Sequence, residues 1–225
     1  MNEPRVVAAK REDSVVIRFA GDSGDGMQLT GTQFTTTSAL LGNDFATFPD
    51  FPAEIRAPAD TMPGVSAYQL HFSSTDVHTA GDAPDVLVAM NAAALRVSLP
   101  TLPAGRTIIV NTDGFGDASL SKAGYTVDPL EDGTLDGYNV VPVPLTTLTV
   151  KVLEDSPLSV RERRRCKNFY ALGIMYWLYS RPLGTTEEWI RSRFEAKPDI
   201  VDANLTALHA GFAYAQDSEL FQVRY

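Results

Sequence analysis

Val15-Val16-Ile17-Arg18-Phe19-Ala20 is a short apolar run rich in β-branched residues, the pattern of a buried strand. It ends in Gly21-Asp22-Ser23-Gly24-Asp25-Gly26, after which Met27, Leu29, Phe34, Ala39, Leu40 and Leu41 recur at helical spacing, with Gly42 as a stop. The chain therefore opens as strand, glycine loop, helix. Residues 43–64 read as irregular, because Pro49, Pro52, Pro58 and Pro63 break a helix or a central strand. Residues 65–72 alternate and predict a half-buried strand. Further strands are predicted at 86–90, 107–111 and 138–143, with a helix around 92–99; Pro142 places the 138–143 strand at an edge or near its own end.

The last third is helical. Ser156-Pro157 predicts an N-cap and first position for a helix running toward Ser180 and stopping before Pro182. Thr185 and Glu188 fit a capping box, and Lys197-Pro198-Asp199 opens a helix that reaches about Gln216. Buried strands alternating with helices give an α/β class: a mainly parallel sheet flanked by helices, Rossmann-like, with a helical C-terminal layer. Residues 1–13 read as a flexible tail and residues 14–225 as a single domain.

Composition narrows the function classes. Of 225 residues, 44% are hydrophobic and 21% charged, which is ordinary for a globular chain. The net charge of −9 argues against a general nucleic-acid binder. No apolar run approaches the roughly 18 residues of a membrane span. The single cysteine, Cys166, rules out an internal disulfide and an iron–sulfur cluster held by this chain alone, and suits a reducing, cytoplasmic compartment.

The glycine loop sits where a strand turns into a helix, a place where unpaired amides and the helix dipole attract anions. Its G-x-x-G-x-G spacing is neither the dinucleotide fingerprint nor a P-loop. It is either a tight turn without ligand or an anion or cofactor contact. Arg56, in the proline-rich segment, is either a surface arginine paired with Glu54 or a phosphate clamp. Residues 161–167 carry five cations in seven positions: Arg161, Arg163, Arg164, Arg165 and Lys167. They precede an all-round apolar stretch, 169–179, that must be buried in this domain or against a partner. The cations sit near the positive end of that helix, so they form either a solvated face or a seat for an anion or acidic partner. His71, His78 and His209 are not spaced for a metal, and no nucleophile elbow is present.

Four ordered motifs together resemble the γ domain of 2-oxoacid:ferredoxin oxidoreductases. They are residues 21–31; Phe51-Pro52-Ala53-Glu54-Ile55-Arg56-Ala57-Pro58; Gly64-Val65-Ser66 with Gln69-Leu70-His71-Phe72; and Arg165-Cys166-Lys167-Asn168 with Ala171-Leu172-Gly173. The match is closest to the 2-oxoglutarate:ferredoxin (KorA-type) branch, in which this domain is the N-terminal part of the α subunit. The resemblance implies a thiamine-dependent enzyme converting a 2-oxoacid to its acyl-CoA and CO2 while reducing ferredoxin. It places coenzyme A on the γ domain, with Gly21, Asp22, Ser23, Gly24, Asp25, Gly26, Arg56, Arg165, Lys167 and Asn168 as the contact residues. It puts thiamine diphosphate with its magnesium, and a 4Fe-4S cluster, on partner α and β domains. No catalytic or metal-binding residue is assigned to this chain, which is expected not to turn over alone. It is either a separate γ subunit or a fragment of a fused chain. The alternative is an assembly module that docks on partner subunits without touching coenzyme A; a dinucleotide-binding oxidoreductase domain is a third reading.

Overall fold

The computed structural model describes residues 8–9, 12–22, 26–50, 64–218, 221 and 223–224. In chain order the elements are β1 (Ala8–Ala9), β2 (Ser14–Asp22), α1 (Met27–Leu40), β3 (Asp44–Asp50), β4 (Val65–Ser73), β5 (Val86–Ala89), α2 (Ala92–Ser98), β6 (Thr107–Asn111), α3 (Asp117–Lys122), β7 (Asn139–Val143), α4 (Leu145–Val152), α5 (Val160–Arg165), α6 (Lys167–Leu178), α7 (Gly184–Arg193), α8 (Pro198–Asp217) and β8 (Val223–Arg224). They fall into two compact units, Ser14–Leu148 and Thr149–Tyr225 with Met1–Asp13.

The first unit is a six-stranded sheet in the order β3-β4-β2-β5-β6-β7. β2, β5, β6 and β7 are parallel, and β4 is antiparallel to both its neighbours, β2 and β3. Only β4 therefore runs against the rest, and the mixed, mostly parallel α/β class agrees with the sequence pattern. The central strands are buried on both faces. Phe19 of β2 packs on Phe34 of α1 with ring centroids 6.3 Å apart, and Phe34 on Phe72 of β4 at 5.7 Å. On the other face, Ala20, Leu87, Ala89, Ile108 and Val110 form one core with Ala92–Leu95 of α2.

Helix α1 buries polar residues, which explains its faint apolar pattern: Thr30, Gln33, Thr35, Thr37 and Ser38 are all inside. Thr30 and Thr35 satisfy their hydroxyls by donating to the carbonyls of Gly26 and Gly31, at 3.1 and 2.8 Å. The predicted stop at Gly42 is made by a left-handed residue, φ 83°. Gly42 N–H donates to Ala39 and Asn43 N–H to Ser38, the paired bonds of a Schellman cap.

Several boundaries differ from the sequence reading. Asp44–Asp50 is a strand inside the stretch expected to be irregular; β3 pairs only with β4, and on such an edge Pro49 removes no needed donor. Residues 51–63, with three of the expected breakers, lie outside the described residues. Two residues of the expected tail, Ala8–Ala9, pair in parallel with Val223–Arg224.

In the second unit, the expected helix from Ser156 to Ser180 is two helices, α5 and α6, meeting at Cys166 (φ −77°, ψ −5°). The cap is Ser159, not Ser156. Ser159 has a glutamate three residues on, and the two exchange capping bonds: Ser159 N–H donates to Glu162, and Glu162 N–H to the Ser159 hydroxyl. Thr185 and Glu188 do not cap α7, which begins after Leu183 without a side-chain cap. Thr186 is the threonine used, 2.6 Å from the buried Tyr176 hydroxyl of α6. Pro198 opens α8 as predicted. All residues from Asn168 to Leu178 are buried within the chain itself, so α6 requires no partner to cover it. α8 crosses it through glycines at 173 and 211.

Candidate functional site

In an open α/β sheet, ligands sit outside the carboxyl ends of the strands where the chain switches direction across the sheet. Here that point lies between β2 and β5. From β2 the chain passes through α1 to β3 and β4 on one side; from β5 it continues to β6 and β7 on the other. Four parallel strands end at this edge: β2 with Gly21-Asp22, β6 with Asn111 and β7 with Val143, while Met90-Asn91 directly follow β5.

The described ends of the predicted glycine loop, Gly21-Asp22 and Gly26, lie at this edge. Gly21 is buried and Asp22 half-buried at the end of β2, opposite Ser66 and Val65 of β4. Gly26 caps α1 in the left-handed region, φ 77° and ψ 23°, a conformation glycine adopts without strain. It contributes no side-chain cap, and the first turn of α1 holds no acidic residue. The opening amides of a helix have no carbonyl partners within it, so this end presents donors. Gln28 ties the turn to β4, its amide nitrogen donating to the Ala67 carbonyl at 2.7 Å and the Ser66 hydroxyl at 3.3 Å. Ser23, Gly24, Asp25 and Arg56 lie outside the described residues.

Two asparagines that the sequence reading passed over brace the neighbouring strand ends. Asn91 caps α2, its Oδ1 accepting from Ala94 N–H at 2.8 Å. Asn111 donates from Nδ2 to the Met90 carbonyl at 3.1 Å and accepts from Leu145 N–H at 3.0 Å. The signal was present for Asn91: an asparagine directly after a buried strand and before an alanine-rich run is an N-cap position.

The remaining predicted residues belong to the second unit. Arg165, Lys167 and Asn168 adjoin one another where α5 gives way to α6. Arg165 is exposed and Lys167 half-buried. Asn168 is 7% exposed, and its Oδ1 is buried without a hydrogen-bond partner among the described residues. A buried carbonyl oxygen left in this way is costly, about 1–3 kcal/mol, and calls for a donor.

One further member of the basic cluster, Arg163, is occupied by the fold. Arg163 donates to the carbonyls of Leu158 and Ser156, at 2.8 and 2.7 Å, and so holds the turn ahead of α5. Glu162 is held below the usual carboxylate range, first by the Ser159 hydroxyl and backbone and then by the charges of Arg165 and Lys197. Cys166 is not activated by its cationic neighbours: burial, reinforced by Glu162, pushes its thiol up to about 11. Among the described residues, no three His, Cys, Asp or Glu side chains gather as metal ligands, and no helix is long and apolar enough to cross a membrane.

A six-stranded, mostly parallel sheet with a glycine-capped helix at its switch point defines a Rossmann-like α/β domain, and comparison with known proteins narrows the class. Residues 16–214 match the family model for pyruvate ferredoxin/flavodoxin oxidoreductase, and the chain belongs to that family. It is 51% identical over 216 residues to the 2-oxoglutarate oxidoreductase subunit KorA of Mycobacterium tuberculosis, covering 96% of this chain and 33% of that subunit. Among solved structures it resembles a 2-oxoglutarate:ferredoxin oxidoreductase from Magnetococcus marinus with 2-oxoglutarate, coenzyme A and succinyl-CoA bound. There the TM-score is 0.69 and the identity 25%, over 92% of this chain and 32% of that one. The fold also matches the gamma subunit of a keto/oxoacid ferredoxin oxidoreductase from Geobacter sulfurreducens, with a TM-score of 0.60 and 19% identity over 91% of this chain and 99% of that one. The chain thus spans about a third of the 2-oxoglutarate relatives.

Proposed function

We propose that residues 14–225 act as the γ-type domain of a 2-oxoacid:ferredoxin oxidoreductase, with 2-oxoglutarate as the 2-oxoacid, and that this domain holds coenzyme A. The overall reaction takes 2-oxoglutarate, coenzyme A and two one-electron equivalents of oxidised ferredoxin to succinyl-CoA, CO2, a proton and two equivalents of reduced ferredoxin. When bound, coenzyme A supplies the thiol that accepts the acyl group, while thiamine diphosphate with magnesium and a 4Fe-4S cluster serve on partner α and β domains. This chain's own chemistry agrees with that division, because a cluster takes four cysteines and Cys166 is single, buried and protonated.

The observation that carries the proposal is the 51% identity to the KorA subunit over 96% of this chain, together with a fold like that of an oxidoreductase solved with coenzyme A bound. Coenzyme A offers phosphates for the two cations beside Asn168, exposed Arg165 and half-buried Lys167. Lys167 opens α6 and opposes its dipole, so an anion there offsets the repulsion, whereas Arg165 sits in the last turn of α5, where a cation is favourable. The amides opening α1, with Gly21-Asp22 and Gly26, provide uncharged donors at the other predicted contact. Ser23, Gly24, Asp25 and Arg56 complete the proposed contact set. None of these residues moves a proton or forms a bond in the reaction; they bind and orient.

The test is reconstitution. The chain should copurify from its native source with larger iron–sulfur chains in the cytoplasm. The brown assembly should reduce ferredoxin only when both 2-oxoglutarate and coenzyme A are supplied. An assembly that forms while the chain shows no affinity for coenzyme A supports instead the reading as a docking module.

A further inference from the structure

We propose that the side-chain amide of Asn91 donates a hydrogen bond to a phosphate oxygen of the coenzyme A nucleotide, forming the lip of the switch-point site that faces the opening of α1. This rests on the reading above that the chain binds coenzyme A.

Position comes first. β2 and β5 are parallel neighbours, with Ala20 level with Ala89 and Met90 N–H donating to the Ala20 carbonyl at 2.9 Å. The next residue, Asn91, therefore stands abreast of Asp22, where the glycine loop begins. No other strand separates the two chain segments at this edge.

The amide is poised for a ligand. Asn91 is only 9% exposed, and its Oδ1 is taken by Ala94 N–H. Its NH2 group hydrogen-bonds to nothing among the described residues, yet it is not among the sealed polar atoms without partners. It therefore retains an opening to the surface. α2 itself, with seven residues, is too short to hold an anion, and Asn91 already fills its cap.

The backbone that carries Asn91 is also braced from the β6 side. Asn111 of β6 grips the Met90 carbonyl. The turn after β6 lies so close that a Cβ on Gly114 would meet Asn91 Cα at 2.8 Å. Asn91 is thereby fixed at the β2–β5 edge, level with Asp22. A neutral donor fits this position, because Asp22 already places a carboxylate nearby and uncharged N–H groups must hold the phosphate.

Aspartate and serine cap helices as well as asparagine does, so Asn91→Asp and Asn91→Ser keep the bond to Ala94 and remove the donor. Titration calorimetry of the 225-residue chain with coenzyme A reads the effect. The expected result is a loss of about tenfold in Asn91→Ser and more in Asn91→Asp, with unchanged melting temperature. Coenzyme A binding by both variants as tight as wild type overturns the role of Asn91 and leaves the parent reading standing. A loss that tracks a lowered melting temperature in both variants overturns it too, since the cap then carries the effect. Absence of binding by the wild-type chain removes the parent reading itself.

Discussion

Gly173 on α6 lies directly against the backbone of Leu208 on α8: a Cβ at position 173 would overlap the Leu208 carbonyl oxygen, and one at Gly211 would overlap that of Tyr170. Each glycine thus admits the other helix's backbone. The close crossing seats Tyr170 of α6 near Tyr214 of α8, with ring centroids 6.0 Å apart. Gly173→Ala and Gly211→Ala must force the helices apart, since the obstacle is backbone that cannot rotate away. Each should cost about 1–3 kcal/mol, read as a lower urea midpoint at unchanged slope.

The cap assignment at α5 makes a second prediction. Ser159→Ala removes the hydroxyl of a two-way capping box and should cost about 1 kcal/mol of stability. Ser156→Ala removes only a 3.3 Å bond from Leu158 N–H within a turn and should cost less. Chemical denaturation of the two variants side by side ranks them; the reverse order would return the helix start to Ser156.

Alkaline pH should destabilise the fold through two named groups. Cys166 is raised from 9.0 to about 11 and Tyr170 from 10.0 to about 12, in both cases mainly by burial. Both acids are held neutral by folding. Their contribution is fully present below the unfolded values and declines as pH rises through the folded ones. Stability should therefore fall between about pH 9 and 12, and Cys166→Ser should flatten the lower part of that decline. At neutral pH the native thiol should resist iodoacetamide and react on unfolding, measured by mass spectrometry.

What the sequence reveals about the fold depends on how local each cause is. β2 and α1 were legible because a buried run and a glycine stop leave local marks. β3 was not: Pro49 reads as a breaker, and only its place at the sheet edge, set by pairing with β4, makes it tolerable. The break between α5 and α6 falls on Cys166, neither glycine nor proline, so nothing local announces it. The site was half legible. Cationic Arg165 and Lys167 stand out in an acidic chain, whereas the orphaned oxygen of Asn168 and the bracing by Asn91 and Asn111 depend on partners far along the chain or on their lack.

The central claim is that coenzyme A is held through the cationic start of α6. Calorimetric titration of the chain with coenzyme A, across a salt series and against Arg165→Ala, Lys167→Ala and dephospho-coenzyme A, tests it most directly. Binding should weaken as salt rises and fall about tenfold or more in Lys167→Ala, in line with loss of a charge-assisted contact. Affinity for coenzyme A that is indifferent to salt and equal in wild type, Arg165→Ala and Lys167→Ala would contradict it.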